Sequence, residues 1–366
     1  MINILTKVIA LFHSQPDITK MGFLSSFFKV TPDSFTDSEY ADLDEIYDGE
    51  EIAPAVTDLD TGAVTLVDDK FVNKQIPFPV YALKSPVKIS QLMTRQPGQS
   101  AYVTEKVNWL AKLANILVRK LGRMTNMIRR SMEQQAAQVL QTGDISLTDE
   151  NGNPAFKLGL EPSMSHFPTV LIPWSDVDNA DPLGDVDVLA DLIRDEGLVD
   201  IKNLIFGRDA WPNFIKNKWV QENIKKDGLA TGELSPVLMN LGAKHHGYID
   251  YNDNRYYFWT YNARYELFGG SDKIRYIDPK NVILLPDPEE LDFRAIFGGI
   301  PAVEPDQEVF SQLFGGDKIR IDGKYDFKPR VWWSNDKGAW WAEVKSRPLM
   351  LPISVKRYGC IKTEIA

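Results

Sequence analysis

Several short constellations in the sequence carry residue types that could do chemistry. Asp176-Val177-Asp178-Asn179-Ala180-Asp181 spaces its carboxylates as a calcium loop does, because a hard cation collects oxygens from alternate residues. The stretch lacks the glycine and the terminal glutamate of such loops, and Asp181 stands directly before Pro182. Helix capping is the expected role, with Asp181 as N-cap and Pro182 opening the helix. His245 and His246 are adjacent beside a strand, where neighbouring side chains point to opposite faces and cannot easily share one ion. Structural or surface roles are expected of both.

Leu267-Phe268-Gly269-Gly270-Ser271-Asp272-Lys273-Ile274-Arg275 nearly recurs as Leu313-Phe314-Gly315-Gly316-Asp317-Lys318-Ile319-Arg320. Paired glycines free backbone N–H groups that could cradle phosphate. Neither copy leads into a helix opening with Lys-Ser/Thr, so both read as Gly-Gly turns between strands. Trp332-Trp333 and Trp340-Trp341 flank the turn signal Asn335-Asp336-Lys337-Gly338 and predict a hairpin with two indoles on each strand. One pair is expected to pack in the core and the other to be covered by a neighbouring element. A carbohydrate-stacking platform is the alternative use. No phosphate-binding loop of the GxxxxGK type, GxGxxG, HExxH, GxSxG or CxxC occurs. The sequence assigns no catalytic, cofactor-binding or metal-ligating residue, and a non-enzymatic protein without a cofactor is expected.

The elements that hold these residues belong to a chain of 366 residues, enough for two lobes or one elaborated domain. It is 43% hydrophobic and 25% charged, as an ordinary globular protein is. The net charge of −10, from 51 acidic and 41 basic residues, excludes a typical nucleic-acid-wrapping protein. Cys360 is the single cysteine, so no intrachain disulfide forms, and a reducing compartment fits. No apolar run reaches the roughly 18–20 residues that cross a bilayer. Ile2–Phe12 is apolar at helical spacing but is interrupted by Lys7 and has no small-residue cleavage site. It reads as a short amphipathic helix docking on protein, favoured over a membrane-surface anchor, and not as a signal peptide.

The first 50 or so residues read as an arm, with apolar patches at Phe23-Leu24 and Phe27-Phe28 that need a surface to cover them, either the chain's own body or a neighbour's. From Thr31 to Asp69 every charged residue is acidic, and from Lys70 to Ser90 every charged residue is basic. The turn signal Asp60-Thr61-Gly62 and strand-like Ala63–Val67 and Ile76–Leu83 predict a long β-hairpin with oppositely charged sides. Pro77, Pro79 and Pro86 suit an exposed edge.

Apolar residues at Val103, Val107, Leu110, Ala114, Leu117, Leu121, Met124, Ile128 and Met132 predict a helix from about Tyr102 to Gln141. Thr104 or Ser100 could cap its start, and Gly143 follows its end. Lys106, Lys112, Arg119, Lys120, Arg123, Arg129 and Arg130 make this rod basic, opposed mainly by Glu105 and Glu133. A solvated face pairing with the acidic arm is favoured over a face turned to phosphate backbones. Beyond it the sequence predicts a hairpin at Asn151-Gly152, a helix after Asp181-Pro182 and a buried strand Ile201–Phe206. A helix from Asp209 to about Lys226, with Trp211, Phe214, Ile215 and Trp219 on its apolar side, comes next. An aromatic strand pair, Tyr248–Tyr261, follows. The fold class is α+β, without regular βαβ alternation.

Phe27-Phe28 with Phe35-Thr36, then Val139-Leu140-Gln141-Thr142-Gly143, Trp174-Ser175, Trp211/Phe214/Val220/Ile224 and Pro348-Leu349-Met350-Leu351 form a collinear set. In that order, and with the order of parts, the chain resembles the major capsid proteins of tailed bacteriophages, the coliphage lambda head protein family. These share the Hong Kong 97 phage fold. The resemblance implies an N-terminal arm (1–47), an extended loop (48–90) and a peripheral domain (91–196) with its spine helix (102–141). It further implies an axial domain (197–286) and returning peripheral strands (287–366). The first 20 or so residues, and the stretch between Asp287 and Arg330, depart from the family pattern.

The function so implied is self-assembly into an icosahedral shell, as pentamers and hexamers, around a phage double-stranded DNA genome. Scaffold, portal and decoration proteins are the implied partners. DNA is implied to be held by weak non-specific contact, and no membrane is involved. The implied location is the virion, assembled in the host cytoplasm. Arm and loop are expected to bury apolar residues on a neighbour, so that removing Met1–Ser38 leaves folded subunits that fail to close shells. An encapsulin-like cargo shell and an α+β carbohydrate-binding protein are the competing readings.

Overall fold

The computed structural model describes residues 22–36, 38, 40–47, 70–93, 109–160, 163–227, 242–252, 254–300 and 327–364. In chain order, β1 (Tyr40–Tyr47), β2 (Lys70–Pro77) and β3 (Tyr81–Val87) precede a short helix α1 (Ile89–Met93) and a long one, α2 (Trp109–Thr142). Then come β4 (Asp144–Thr148), β5 (Pro154–Gly159), α3 (Pro182–Gly197), β6 (Asn203–Phe206), α4 (Ala210–Lys216) and α5 (Lys218–Asp227). They are followed by β7 (Ala243–Tyr251), β8 (Asn254–Tyr261), β9 (Arg264–Glu266), β10 (Lys273–Arg275), β11 (Asn281–Leu285) and β12 (Phe293–Phe297). The chain closes with β13 (Lys328–Ser334), β14 (Ala339–Ser346), β15 (Pro348–Pro352) and β16 (Gly359–Lys362).

The apolar series of the rod makes α2 one unbroken helix of 34 residues, about 51 Å long at ~1.5 Å per residue. Leu113, Leu117, Leu121, Met124, Ile128 and Met132 fall on its buried side. Gly143 ends it with a φ of 73°, donating its N–H to the Val139 carbonyl at 2.8 Å, a left-handed cap open to glycine at no steric cost. Residues 102–108, where the rod was expected to begin, lie outside the described residues, as do Ile2–Phe12, the turn at Asp60–Gly62 and the second Gly-Gly turn at 313–320.

A five-stranded sheet in the order β16-β11-β6-β8-β7 divides two cores. Its neighbours are antiparallel except β6 and β8, which run parallel. β6 reads Asn-Leu-Ile-Phe and is buried throughout, because both faces of the sheet are covered. Leu204, Phe206, Val282, Leu284, Tyr256 and Phe258 face α3, α4 and α5. Ile205, Ile283, Leu285, Trp259 and Tyr261 share the other core with α2 and the N-terminal segment. The period of two along each strand thus assigns alternate side chains to different cores. The boundary expected between residues 196 and 197 cuts through this unit: α3 packs on the sheet and β16 enters it from the C-terminal end.

The charged hairpin also differs from expectation. β1 pairs with β2 from Tyr40↔Pro77 to Tyr47↔Lys70, so the acidic strand opposes the basic one, but the ladder begins eight residues before position 48. Asp42, Asp44 and Glu45 face Gln75, Asn73 and Val72, so no acid sits directly opposite a lysine. The expected strand Ile76–Leu83 is two: β2 ends at Pro77, and β3 joins a different sheet, ordered β13-β14-β3. Prolines 77 and 79 remove two ladder donors within three residues, which ends the pairing, and Pro86 sits on the edge strand as expected.

The helix expected from Asp209 to Lys226 is broken at the fully buried Asn217, whose ψ of 137° is extended. Its side chain accepts from the N–H groups of Trp219 and Val220, capping α5, and donates to the carbonyls of Ala180 and Val177. The break shifts the apolar register, so Val220 is buried while Trp219 is 53% exposed.

Candidate assembly interface

Phe23, Leu24, Phe27 and Phe28 are at most 1% exposed, and they are covered by the chain's own body. Phe23 lies 5.8 Å from Trp259 and 5.3 Å from Tyr261, Phe28 lies 5.1 Å from Phe293, and Phe35 stacks on Phe297 at 5.2 Å. Lys29 forms a parallel bridge to Arg294, and Phe35 one to Phe297. The expectation that this part of the arm buries its aromatics on a neighbour is therefore corrected. The reason is that β12 and the inner face of β8 leave an aromatic trough that residues 23–35 fill.

Polar residues of α2 fix this arrangement. Glu133, 3% exposed, accepts N–H bonds from Leu24 at 2.8 Å and Ser25 at 2.9 Å. The Tyr261 phenol also bonds to it, and burial followed by that carboxylate holds the phenol above its ordinary range. A Cβ on Gly22 would run into the same carboxylate, so any larger residue there would have to push Glu133 aside. Gln135 donates to the Tyr81 hydroxyl at 2.9 Å and to the Pro348 carbonyl at 3.3 Å, and accepts from the Met350 N–H at 3.1 Å. Gln141 donates to the Tyr276 carbonyl at 2.9 Å and accepts from the Asp278 N–H at 2.8 Å. These three anchors were not recognised in the sequence, where Glu133 read only as one of two acids opposing the rod's basic residues. The one local signal is their position between apolar residues of the inward stripe.

On the opposite side of α2, Arg119, Arg123 and Arg130 are exposed, with Asn126 between them. The acidic stretch expected to pair with them has no described side chains beyond Ala41 until residue 75. Lys120 instead donates to the Pro86 carbonyl and to Gln91, and burial pulls its ammonium below the ordinary lysine range.

The candidate chemical residues hold structural posts. Asp181 caps α3 by accepting the Gly184 N–H at 3.0 Å, and Asp176 accepts from Asn179, as the capping reading expected. His245 meets Trp259 at 4.6 Å on one face, and His246 stacks on Trp211 at 4.2 Å on the other. Burial, then Lys244 and His245, push the His246 imidazole down to about 4. Gly269, with a φ of 75°, turns β9 into its antiparallel partner β10, so the first Gly-Gly stretch is a hairpin turn. Cys360 is fully buried and its thiol is pushed up to about 12 by burial.

The tryptophan hairpin forms with Trp332 opposite Trp341 and Trp333 opposite Trp340. Trp340 packs against the core, while Trp333 is 40% exposed at its margin. The other pair lies on the outer face, half-buried, with rings 6.2 Å apart and nearly parallel. Among the described residues, cationic side chains lie over these rings, in place of the expected covering element.

A long helix along one of two cores, a five-stranded sheet between them and a two-stranded ladder that, among the described residues, pairs with no other strand define an α+β capsid-shell fold of the Hong Kong 97 type. With a TM-score of 0.66 and 14% identity, the chain aligns over 98% of its length with 99% of a protein described as a capsid protein of a prophage of Escherichia coli CFT073. A phage-related protein of Bordetella bronchiseptica RB50 aligns over 98% of this chain and 96% of its own, at 11% identity and a TM-score of 0.48. The SrpI encapsulin of Synechococcus elongatus PCC 7942 aligns over 93% and 86%, at 10% identity and a TM-score of 0.46. No curated protein matches the sequence. The family profile of phage major capsid protein E matches residues 15–357, and the chain belongs to that family of shell-forming structural proteins. It is a phage capsid subunit, and subunits of this kind associate with copies of themselves. No helix among the described residues is long and apolar enough to cross a membrane.

Proposed function

We propose that this capsid subunit tiles an icosahedral shell, as pentamers and hexamers, around a double-stranded DNA genome. The observation that carries the reading is the β1–β2 ladder. Eight residue pairs form a two-stranded sheet that, among the described residues, joins no other strand, an arrangement marginal for an isolated chain and suited to lying on a second subunit. In this role the ladder with residues 48–69 is the extended loop, and α2 is the spine. The sheet unit with α3, α4, α5 and β16 is the axial part, and the strands around β12–β15 are peripheral. Residues 22–36 are an inner arm docked on their own body.

The net charge of −10 supports weak, non-specific contact with packaged DNA, since a shell wall that gripped phosphate would impede filling. Scaffold, portal and decoration proteins are the partners such a shell takes, and the virion, assembled in the host cytoplasm, is its place. The test is the content of particles purified from the source of the gene. Nuclease-protected double-stranded DNA is the expected result. A protein cargo without DNA would overturn the genome-bearing role in favour of an encapsulin-like shell.

A further inference from the structure

The outer face of the β13-β14-β3 sheet concentrates positive charge around two indoles. Trp332 and Trp341 sit directly opposite each other, with Pro86 next to Trp341 on the edge strand. The Arg330 guanidinium lies 5.2 Å from the Trp332 centroid. The ammonium groups of Lys337 and Lys84 lie 5.0 and 5.9 Å from the Trp341 centroid. The alternation of the strands puts Lys328 and Lys345 on this same face, directly opposite each other. Like charges so placed oppose folding of the hairpin. Glu343 is the acid of this face; it stands between Arg330 and Lys84 in register and 3.7 Å from Lys345. Among the described residues, no ion pair holds Lys84, Lys328, Arg330 or Lys337.

Positive charge beside aromatic rings could serve nucleic acid or an acidic peptide. The indoles decide between them. Base stacking needs free ring faces, and here cations already lie over both rings, so the surface offers positive charge and hydrogen-bond donors. The matching partner is a run of carboxylates. The chain itself has one: residues 48–69, the connector between β1 and β2, hold seven acidic and no basic residues. The ladder's far end, Tyr47 and Lys70, to which the connector is joined, stands eight residue pairs, roughly 26 Å at ~3.3 Å per residue, from the Tyr40–Pro77 end at which Ala41, Ile76 and Phe78 are buried in the body.

We infer that the face formed by Lys84, Arg330, Trp332, Lys337 and Trp341 is the dock for the acidic connector, residues 48–69, of a second copy of this chain. The inference rests on the shell reading and supplies the surface on which the extended loop lies. Opposed charge across such a contact sets register and orientation between subunits more than it adds raw affinity.

The test uses the full chain. A K84Q/R330Q/K337Q variant, which sets no acid beside Glu343, keeps the monomer's thermal unfolding but lowers the yield of shells, and the charge-reversed K84E/R330E/K337E variant lowers that yield roughly tenfold. A second set, D48K/E50K/E51K, placed in that variant restores assembly. In shells built from equal parts light- and heavy-isotope subunits, carbodiimide joins Lys84 or Lys337 to acids of residues 48–69 in mixed-isotope peptides. Normal shells from the triple variant, or crosslinks confined to single-isotope peptides, overturn the inference and leave the shell reading standing. Retention of a DNA oligonucleotide by the wild type, lost in the variant, overturns it by assigning the face to nucleic acid. A wild-type chain that forms no shells removes both.

Discussion

Leu24 donates its backbone N–H to the buried carboxylate of Glu133 at 2.8 Å, across 109 residues of sequence. With the second bond from Ser25, this makes the N-terminal segment part of the body's core rather than a loose strap. Glu133→Ala leaves two buried N–H groups without an acceptor and should cost about 2–4 kcal/mol of unfolding free energy. Glu133→Gln, which keeps one acceptor oxygen, should cost less. Urea unfolding of the two variants measures the difference, and equal costs would show that the carboxylate is not the clasp.

Phe28 is 1% exposed and packs on Phe293. Phe28→Ala should destabilise the subunit by about 3–5 kcal/mol through lost burial and the cavity left behind. By the same argument, removing Met1–Ser38 should expose the trough around Phe293 and Trp259 and give insoluble or unfolded protein. That reverses the sequence-based expectation of folded but assembly-deficient subunits. Circular dichroism and solubility of the truncated chain decide between them.

Burial holds the Cys360 thiol far above neutral pH, so almost no thiolate is present and no reagent can reach it. A maleimide should label native protein negligibly over hours and label one thiol per chain in denaturant. Fast native labelling would mean that β16 opens readily from the sheet edge.

His246 is pushed down to about 4 in the folded chain, against an ordinary 6.5 when unfolded. Between those values the unfolded state binds the extra proton, so folded stability present above pH 6.5 is lost as pH falls toward 4. His246→Gln should flatten this part of the stability profile, measured by urea midpoints at pH 7 and 4.5. An unchanged slope would place the acid sensitivity in other groups, such as His245, whose imidazole burial also holds below its ordinary range.

What the sequence revealed and what it hid follow from the range of the forces involved. The α2 rod and the Asp181-Pro182 helix start rest on periodicity and on a cap three residues away, so both were legible. The hairpin turns at Gly152 and Gly338 were legible for the same reason. The break at Asn217 was not, because its side chain answers to carbonyls 37 and 40 residues distant. Neither was the role of Glu133, whose partners lie more than a hundred residues away. The opposite charges of β1 and β2 foretold their pairing, whereas the register, which puts no acid opposite a lysine, could not be read from charge. The tryptophan pattern gave the hairpin but not which indole pair faces out, since that depends on where α2 lies against β3 and β14.

The central claim is that copies of this subunit close into a shell, and electron microscopy of the purified full chain in negative stain tests it most directly. The account predicts icosahedral particles, or rings of five and six subunits, at high protein concentration. A field of uniform, compact single subunits under the same conditions would contradict it.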